Sequence, residues 1–232
     1  MSAHSELATR LRSQGVVPVV TVTDEHQATP LADALQAGGL PCVEITYRAE
    51  PAVATASIER IRSHAPGMLV GAGTILSAGQ ADMAIAAGAS FVVAPGFNPA
   101  VVEHVAGKDV PMLPGVATPT EIEQALAYGI RLVKIFPAGA LGGPSYLAAL
   151  AAPYAMMQFV PTGGVKPENL ADFLQLPSVA AAGGTWLAKP AAVQAGHWRA
   201  VERFAAEAVA IVRSVREQPK AQSESSSTDS QP

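Results

Sequence analysis

One phrase recurs through the middle of this chain: a helical run closed by glycine, then a short apolar strand. It appears as Ala34-Leu35-Gln36-Ala37-Gly38 before Cys42-Val43-Glu44-Ile45, as Ala84-Ile85-Ala86-Ala87-Gly88 before Phe91-Val92-Val93-Ala94, and as Ala125-Leu126-Ala127-Tyr128-Gly129 before Leu132-Val133-Lys134-Ile135. Each glycine is expected to take the left-handed conformation that ends a helix. The same rhythm predicts strands near 16–21, 41–46, 68–73, 90–94, 111–114, 131–136, 157–162 and 179–183, with helical segments between them. The clearest helix start is Thr118-Pro119-Thr120-Glu121, with an N-cap threonine, a proline at the first helical position and a glutamate placed to complete a capping box. Such alternation implies an α/β fold with a parallel sheet under helices, and eight units in about 200 residues suit a closed (β/α)8 TIM barrel. The rival, an open doubly wound sheet, calls for a Gly-x-Gly-x-x-Gly turn after its first strand. Here Val16-Val17-Pro18-Val19-Val20 runs on into Thr21-Val22-Thr23-Asp24. A single barrel domain is expected over residues 1–216, ending in an amphipathic helix from Trp198 to about Arg216. The Ser/Gln-rich stretch 217–232 lacks apolar residues to bury and is expected to be a disordered tail.

Several function classes fall away on composition. With 49% hydrophobic and 15% charged residues the chain can bury a sizeable core, yet its apolar stretches are too short to span a bilayer. A net charge of −4 without any basic run gives no footprint for nucleic acid. Residues Met1 to Arg12 lack the apolar core of a signal peptide, so the cytoplasm is the expected location. Cys42 stands alone, and His4, His26, His64, His104 and His197 have no zinc-ligand spacing. No metal is expected, and small molecules are the expected partners.

In a barrel, chemistry gathers at the C-terminal ends of the strands. The strand Arg131-Leu132-Val133-Lys134-Ile135-Phe136-Pro137 holds an ammonium group at its centre. Period-2 alternation puts Lys134 on the same face as Leu132 and Phe136, pointing into an enclosed space. Burial favours the uncharged amine, the form that attacks carbonyls. A lysine that reaches the rim or pairs with a carboxylate is the bland alternative. On strand two, Glu44, Thr46 and Arg48 share the face opposite Val43, Ile45 and Tyr47. Glu44 and Arg48 either form a structural ion pair or join Lys134 in one pocket, since Glu44 and Lys134 stand at matching heights. Two glycine-rich turns, Thr162-Gly163-Gly164 after strand seven and Gly183-Gly184-Thr185 after strand eight, fall where barrels commonly bind phosphate. The turn Gly71-Ala72-Gly73-Thr74 would bring backbone close to a ligand with Thr74 as a hydroxyl donor, and Ala94-Pro95-Gly96 ends strand four beside the cavity. Small residues chosen only to pack a barrel account for these last two turns equally well.

Taken together, Val43-Glu44-Ile45-Thr46-Tyr47-Arg48, Gly71-Ala72-Gly73-Thr74, Ala94-Pro95-Gly96, Pro114-Gly115-Val116-Ala117-Thr118, Val133-Lys134-Ile135-Phe136-Pro137-Ala138, Pro161-Thr162-Gly163-Gly164 and Gly183-Gly184-Thr185-Trp186 resemble, in order, the landmarks of the 2-keto-3-deoxy-6-phosphogluconate and 4-hydroxy-2-oxoglutarate aldolases. The resemblance covers about residues 15 to 215. It implies cofactor-free class I cleavage of 2-keto-3-deoxy-6-phosphogluconate to pyruvate and glyceraldehyde 3-phosphate, the closing step of the Entner-Doudoroff pathway, by a homotrimer. By position it implies Lys134 as the Schiff-base lysine and Glu44 as the general acid/base. Arg48 and Thr74 would hold the substrate carboxylate, Pro95 and Phe136 would line the pocket, and Thr162, Gly163, Gly164, Gly184 and Thr185 would take the phosphate end. Two positions depart from the pattern: Gly139 stands where an acidic residue is usual, and Thr185 where a serine is common. The phosphogalactonate aldolases are the near alternative, and Arg48 and Thr162 favour the gluconate type. A phosphate-binding isomerase or synthase barrel is the alternative without Schiff-base chemistry.

Overall fold

The computed structural model describes residues 3–217, so the predicted tail beyond Glu217 lies outside the described residues. Its strands are β1 (Val16–Val20), β2 (Cys42–Thr46), β3 (Leu69–Gly73), β4 (Phe91–Val93), β5 (Met112–Leu113), β6 (Gly115–Val116), β7 (Leu132–Ile135), β8 (Gln158–Pro161) and β9 (Ala182–Gly184). One sheet runs in the order β5-β4-β3-β2-β1-β9 and a second in the order β6-β7-β8. The two sheets meet at both ends. β5 and β6 are one passage of chain divided at Pro114, and parallel bridges Phe159↔Val179 and Thr162↔Gly183 tie the β8 side to the β9 side. A ring of parallel strands results, with helices outside, as the alternation predicts.

Gly183 and Gly184, expected in a turn after the last strand, lie within β9 itself, and two further details differ from the sequence reading for a local reason. The strand predicted at 111–114 is two short pieces, because Pro114 has no N–H to give to a ladder and contributes only its carbonyl, which accepts from Lys134 N at 3.0 Å. Of the three glycines expected to be left-handed, Gly88 (φ 90°) and Gly129 (φ 72°) are, whereas at the first helix end the role falls to Gly39 (φ 79°). Gly38 serves packing instead. A Cβ there would stand 2.5 Å from Ala205 Cβ and 2.6 Å from Glu202 O, so the bare backbone lets helix Trp198–Arg216 lie against the end of helix Ala28–Ala37.

The capping box forms as expected: Glu121 Oε2 accepts from Thr118 N at 2.9 Å and Ala117 N at 2.6 Å, fixing the start of helix Pro119–Ala127. Sequence reasoning left the N-terminal segment without a place in the architecture. It forms a helix, Ala3–Gln14, packed beneath the N-terminal ends of the strands through buried Leu7 and Leu11. Met112 N donates to His4 Nε2 at 3.4 Å, and the Arg12 guanidinium reaches Pro177 O at 3.2 Å. Arg216, at the end of the last helix, donates to Arg12 O and, at 2.7 Å, to Ala180 O, which ties the two ends of the described chain together. Among the described residues no helix is long and apolar enough to cross a membrane.

Candidate active site

Lys134 lies in β7 between Gly115 of β6 and Val160 of β8, while Glu44 lies in β2 between Val19 of β1 and Gly71 of β3. These two strands stand across the ring from one another. Their side chains nonetheless meet: Lys134 Nζ donates to Glu44 Oε1 at 3.4 Å, with only 4% and 6% of the two side chains exposed. The Phe136 ring lies beside the amine, its centroid 5.5 Å from Nζ. A bond of 3.4 Å is long for a charge-assisted contact, so both partners keep capacity for a ligand that enters between them. The position holds an amine and a carboxylate together, shielded from bulk water.

Strand β2 alternates as predicted. Val43, Ile45 and Tyr47 turn outward and are buried, and the Tyr47 hydroxyl meets Thr55 Oγ1 at 2.9 Å; burial pushes this phenol up from its ordinary value. Glu44 and Thr46 turn inward and are buried too. Arg48 lies past the strand end, in a turn and exposed, and among the described residues it makes no ion pair. Of the two arrangements open from sequence, the Glu44–Arg48 pair does not form, and Lys134 takes the carboxylate. Thr74 follows β3 with φ 60°, a left-handed conformation costly for a β-branched residue, by about 1–3 kcal/mol. Strain of that size at a strand's C-terminal end is consistent with a side chain held for a task.

The distal turns are also brought to this end of the ring. Thr162 is buried just past β8 and bridges to Gly183, while Gly163 and Gly164 are successive left-handed residues with φ 84° and 83°. Their carbonyls are occupied: Gly139 N donates to Gly163 O at 2.7 Å and Asn169 Nδ2 to Gly164 O at 3.0 Å. No acceptor for their N–H groups is found among the described residues. Gly184 is buried in β9, and Thr185 is exposed at the start of the single turn Trp186–Ala188. Pro95, half-buried after β4, sets its carbonyl against Gly115 so closely that only glycine fits there. Gly139 presses on the turn of Gly163 and Gly164: a Cβ at this position would stand 2.9 Å from Gly164 Cα, so a side chain here requires that turn to shift.

Two features escaped sequence reasoning. Thr21 Oγ1 meets Thr46 Oγ1 at 2.8 Å at the mouth of the ring, and the register Val19↔Glu44 carried two residues onward is the signal that pairs them. Gly183 gives Thr162 its space, since a Cβ on it would stand 3.0 Å from Thr162 Cγ2 and overlap the hydroxyl. Cys42 is buried with its thiol directed to Val16 O at 3.3 Å and pushed up by burial, so it packs as a small apolar residue.

Comparison with known proteins agrees with this geometry. A 2-dehydro-3-deoxy-phosphogluconate aldolase of Treponema pallidum is 47% identical over 197 residues, spanning 85% of this chain and 93% of its own length. The KDPG aldolase of Legionella pneumophila, solved with pyruvate captured at low pH as a covalent carbinolamine intermediate, superposes with a TM-score of 0.82 at 32% identity, over 89% of this chain and 97% of that one. The 2-keto-3-deoxy-6-phosphogluconate aldolase of Zymomonas mobilis ZM4, solved with 3-phosphoglycerate, gives 0.80 at 34% identity, over 90% and 97%. The sequence model of the KDPG and KHG aldolases matches residues 7–204, and the chain belongs to that family.

Proposed function

We propose that this chain is a class I aldolase cleaving 2-keto-3-deoxy-6-phosphogluconate to pyruvate and glyceraldehyde 3-phosphate through an imine on Lys134. The observation that carries the reading is the buried Lys134–Glu44 contact at 3.4 Å inside a barrel of this family. The neutral amine adds to the C2 ketone to give a carbinolamine, which loses water to a protonated imine. Glu44 takes the proton of the C4 hydroxyl; the C3–C4 electron pair moves into the iminium, releasing glyceraldehyde 3-phosphate and leaving an enamine. Protonation at C3 and addition of water then free pyruvate and return the amine. Covalent capture of pyruvate as a carbinolamine in the Legionella protein supports the closing steps of this sequence, in which water adds to the pyruvate imine.

Arg48 and Thr74 are assigned to the carboxylate, Pro95 and Phe136 to the pocket wall, and Thr162, Gly163, Gly164, Gly184 and Thr185 to the phosphate. The free Gly163 and Gly164 N–H groups support that last assignment. The proposal extends to a cytoplasmic homotrimer with residues 1–216 as its catalytic domain. Incubation with pyruvate and borohydride tests the chemistry: a stable adduct of pyruvate mass on Lys134, with pyruvate released from the phosphorylated substrate, is expected. Active protein that takes no adduct would refute it and point to a barrel working without an imine.

A further inference from the structure

The inward face of β3 is nearly bare. Leu69, Gly71 and Gly73 share it, and the two glycines form a trough that neighbouring strands fill. The lower half takes the Phe91 ring, whose Cε1 would stand 2.7 Å from a Cβ at Gly71. The upper half takes the Glu44 side chain: a Cβ at Gly73 would lie 2.7 Å from both Cδ and Cγ of Glu44 and would overlap Oε1. That oxygen is the one that receives the Lys134 ammonium. Sequence reading left Gly73 open between a backbone approach to a ligand and simple packing of the barrel; in the structure its missing side chain admits a carboxylate from the neighbouring strand.

Neither β3 nor β2 has freedom to yield. Tyr47 N donates to Gly73 O at 2.8 Å, Ile75 N to Val93 O at 3.1 Å, and the pairing Cys42↔Leu69 through Thr46↔Gly73 is continuous. A methyl group at residue 73 therefore displaces the carboxylate and not the strand. From these contacts we infer that Gly73 is a positioning residue for the reaction: it provides the groove along which Glu44 reaches over β3 toward the amine on the far side of the ring. This rests on the aldolase reading above and adds to it the residue that sets where the proton acceptor stands.

A double-mutant cycle tests the inference. Gly73→Ala is expected to lower kcat for the phosphorylated substrate by about 10²-fold, within the range for a misplaced general base, while Lys134 still takes a pyruvate adduct under borohydride. In a Glu44→Ala background, where the crowded side chain is gone, Gly73→Ala should change kcat less than about threefold. Gly71→Ala is the structural control: it meets Phe91, so it should lower thermal stability and add its kinetic effect independently of Glu44. Glu44→Ala that retains wild-type turnover would overturn the aldolase reading itself. Should Glu44→Ala be crippled and Gly73→Ala cost the same factor in both backgrounds, only the positioning role fails. Circular dichroism of all four proteins of the cycle identifies a variant that has not folded; if Gly73→Ala alone is unfolded and the Glu44→Ala/Gly73→Ala double is folded, the steric conflict is shown directly.

Discussion

Replacing Lys134 with methionine does more than remove the proposed nucleophile, because it leaves Glu44 without its ion-pair partner in the bore of the barrel. Both side chains are almost wholly enclosed, and among the described residues the amine is the ion-pair partner of the carboxylate. Deleting one member of a buried pair typically costs about 3–5 kcal/mol, most of it the penalty for the ion left behind. With a urea m-value of about 3 kcal/mol/M for a chain of this size, the unfolding midpoint should fall by about 1–1.7 M. The same reasoning gives an opposite sign for the pair removed together. In Lys134→Met/Glu44→Met both charges are exchanged for flexible apolar chains of similar length, and stability should return to the wild-type value or exceed it. Turnover falls by at least about 10³-fold in both variants, so stability and activity separate. The assay is equilibrium unfolding in urea at one pH and one protein concentration, followed by fluorescence of the two tryptophans. A single variant that loses less than about 1 kcal/mol, or a double variant less stable than the single, would show that the pair is solvated and the argument from burial wrong.

Substitution of Thr162 or Thr185 by alanine should raise KM for phosphorylated substrates about tenfold or more while leaving the rate of pyruvate adduct formation within about twofold; equal loss for both ligands would relocate the phosphate site. Glu121→Ala removes the acceptor for Ala117 N and Thr118 N and should cost about 0.5–2 kcal/mol in thermal unfolding, with no change in KM. The His4 imidazole is held below its ordinary value, chiefly by burial. Its neutral form is thus favoured in the folded state, so its contribution to stability is present above about pH 6.5 and is lost as the pH falls through the lower folded value. Between pH 7 and 5 the wild type should lose more stability than His4→Leu; superimposable pH profiles would show that this ring titrates freely.

Periodicity and turn chemistry are local properties, and the parts of this fold that depend on them were legible. The helix–glycine–strand phrase located all the strand regions, and the Thr118–Glu121 box located a helix start to the residue. Parity along a strand put Glu44 and Thr46 on one face and Tyr47 on the other. What parity cannot supply is which chains of atoms meet across the ring. The choice between Arg48 and Lys134 as the partner of Glu44 depends on how far a strand continues before it turns, and β2 ends at Thr46, two residues short of Arg48. The N-terminal helix announced itself only through Leu7 and Leu11, four residues apart, a signal too small to say which surface they cover.

Glycines were the hardest residues to interpret, since their function lies in what occupies the space they leave. Gly38, Gly73 and Gly183 look alike in sequence, but one admits a helix, one a carboxylate and one a threonine. Each partner is distant along the chain or belongs to another strand, so no window of sequence contains both halves of the contact. A reacting pair placed across a barrel needs this device. With side chains on every inward position, the bore would be filled by packing, and two polar groups from opposite walls would have no path to one another. The bare position at Gly73 on β3 opens that path for Glu44, while the outer face of the strands carries the core.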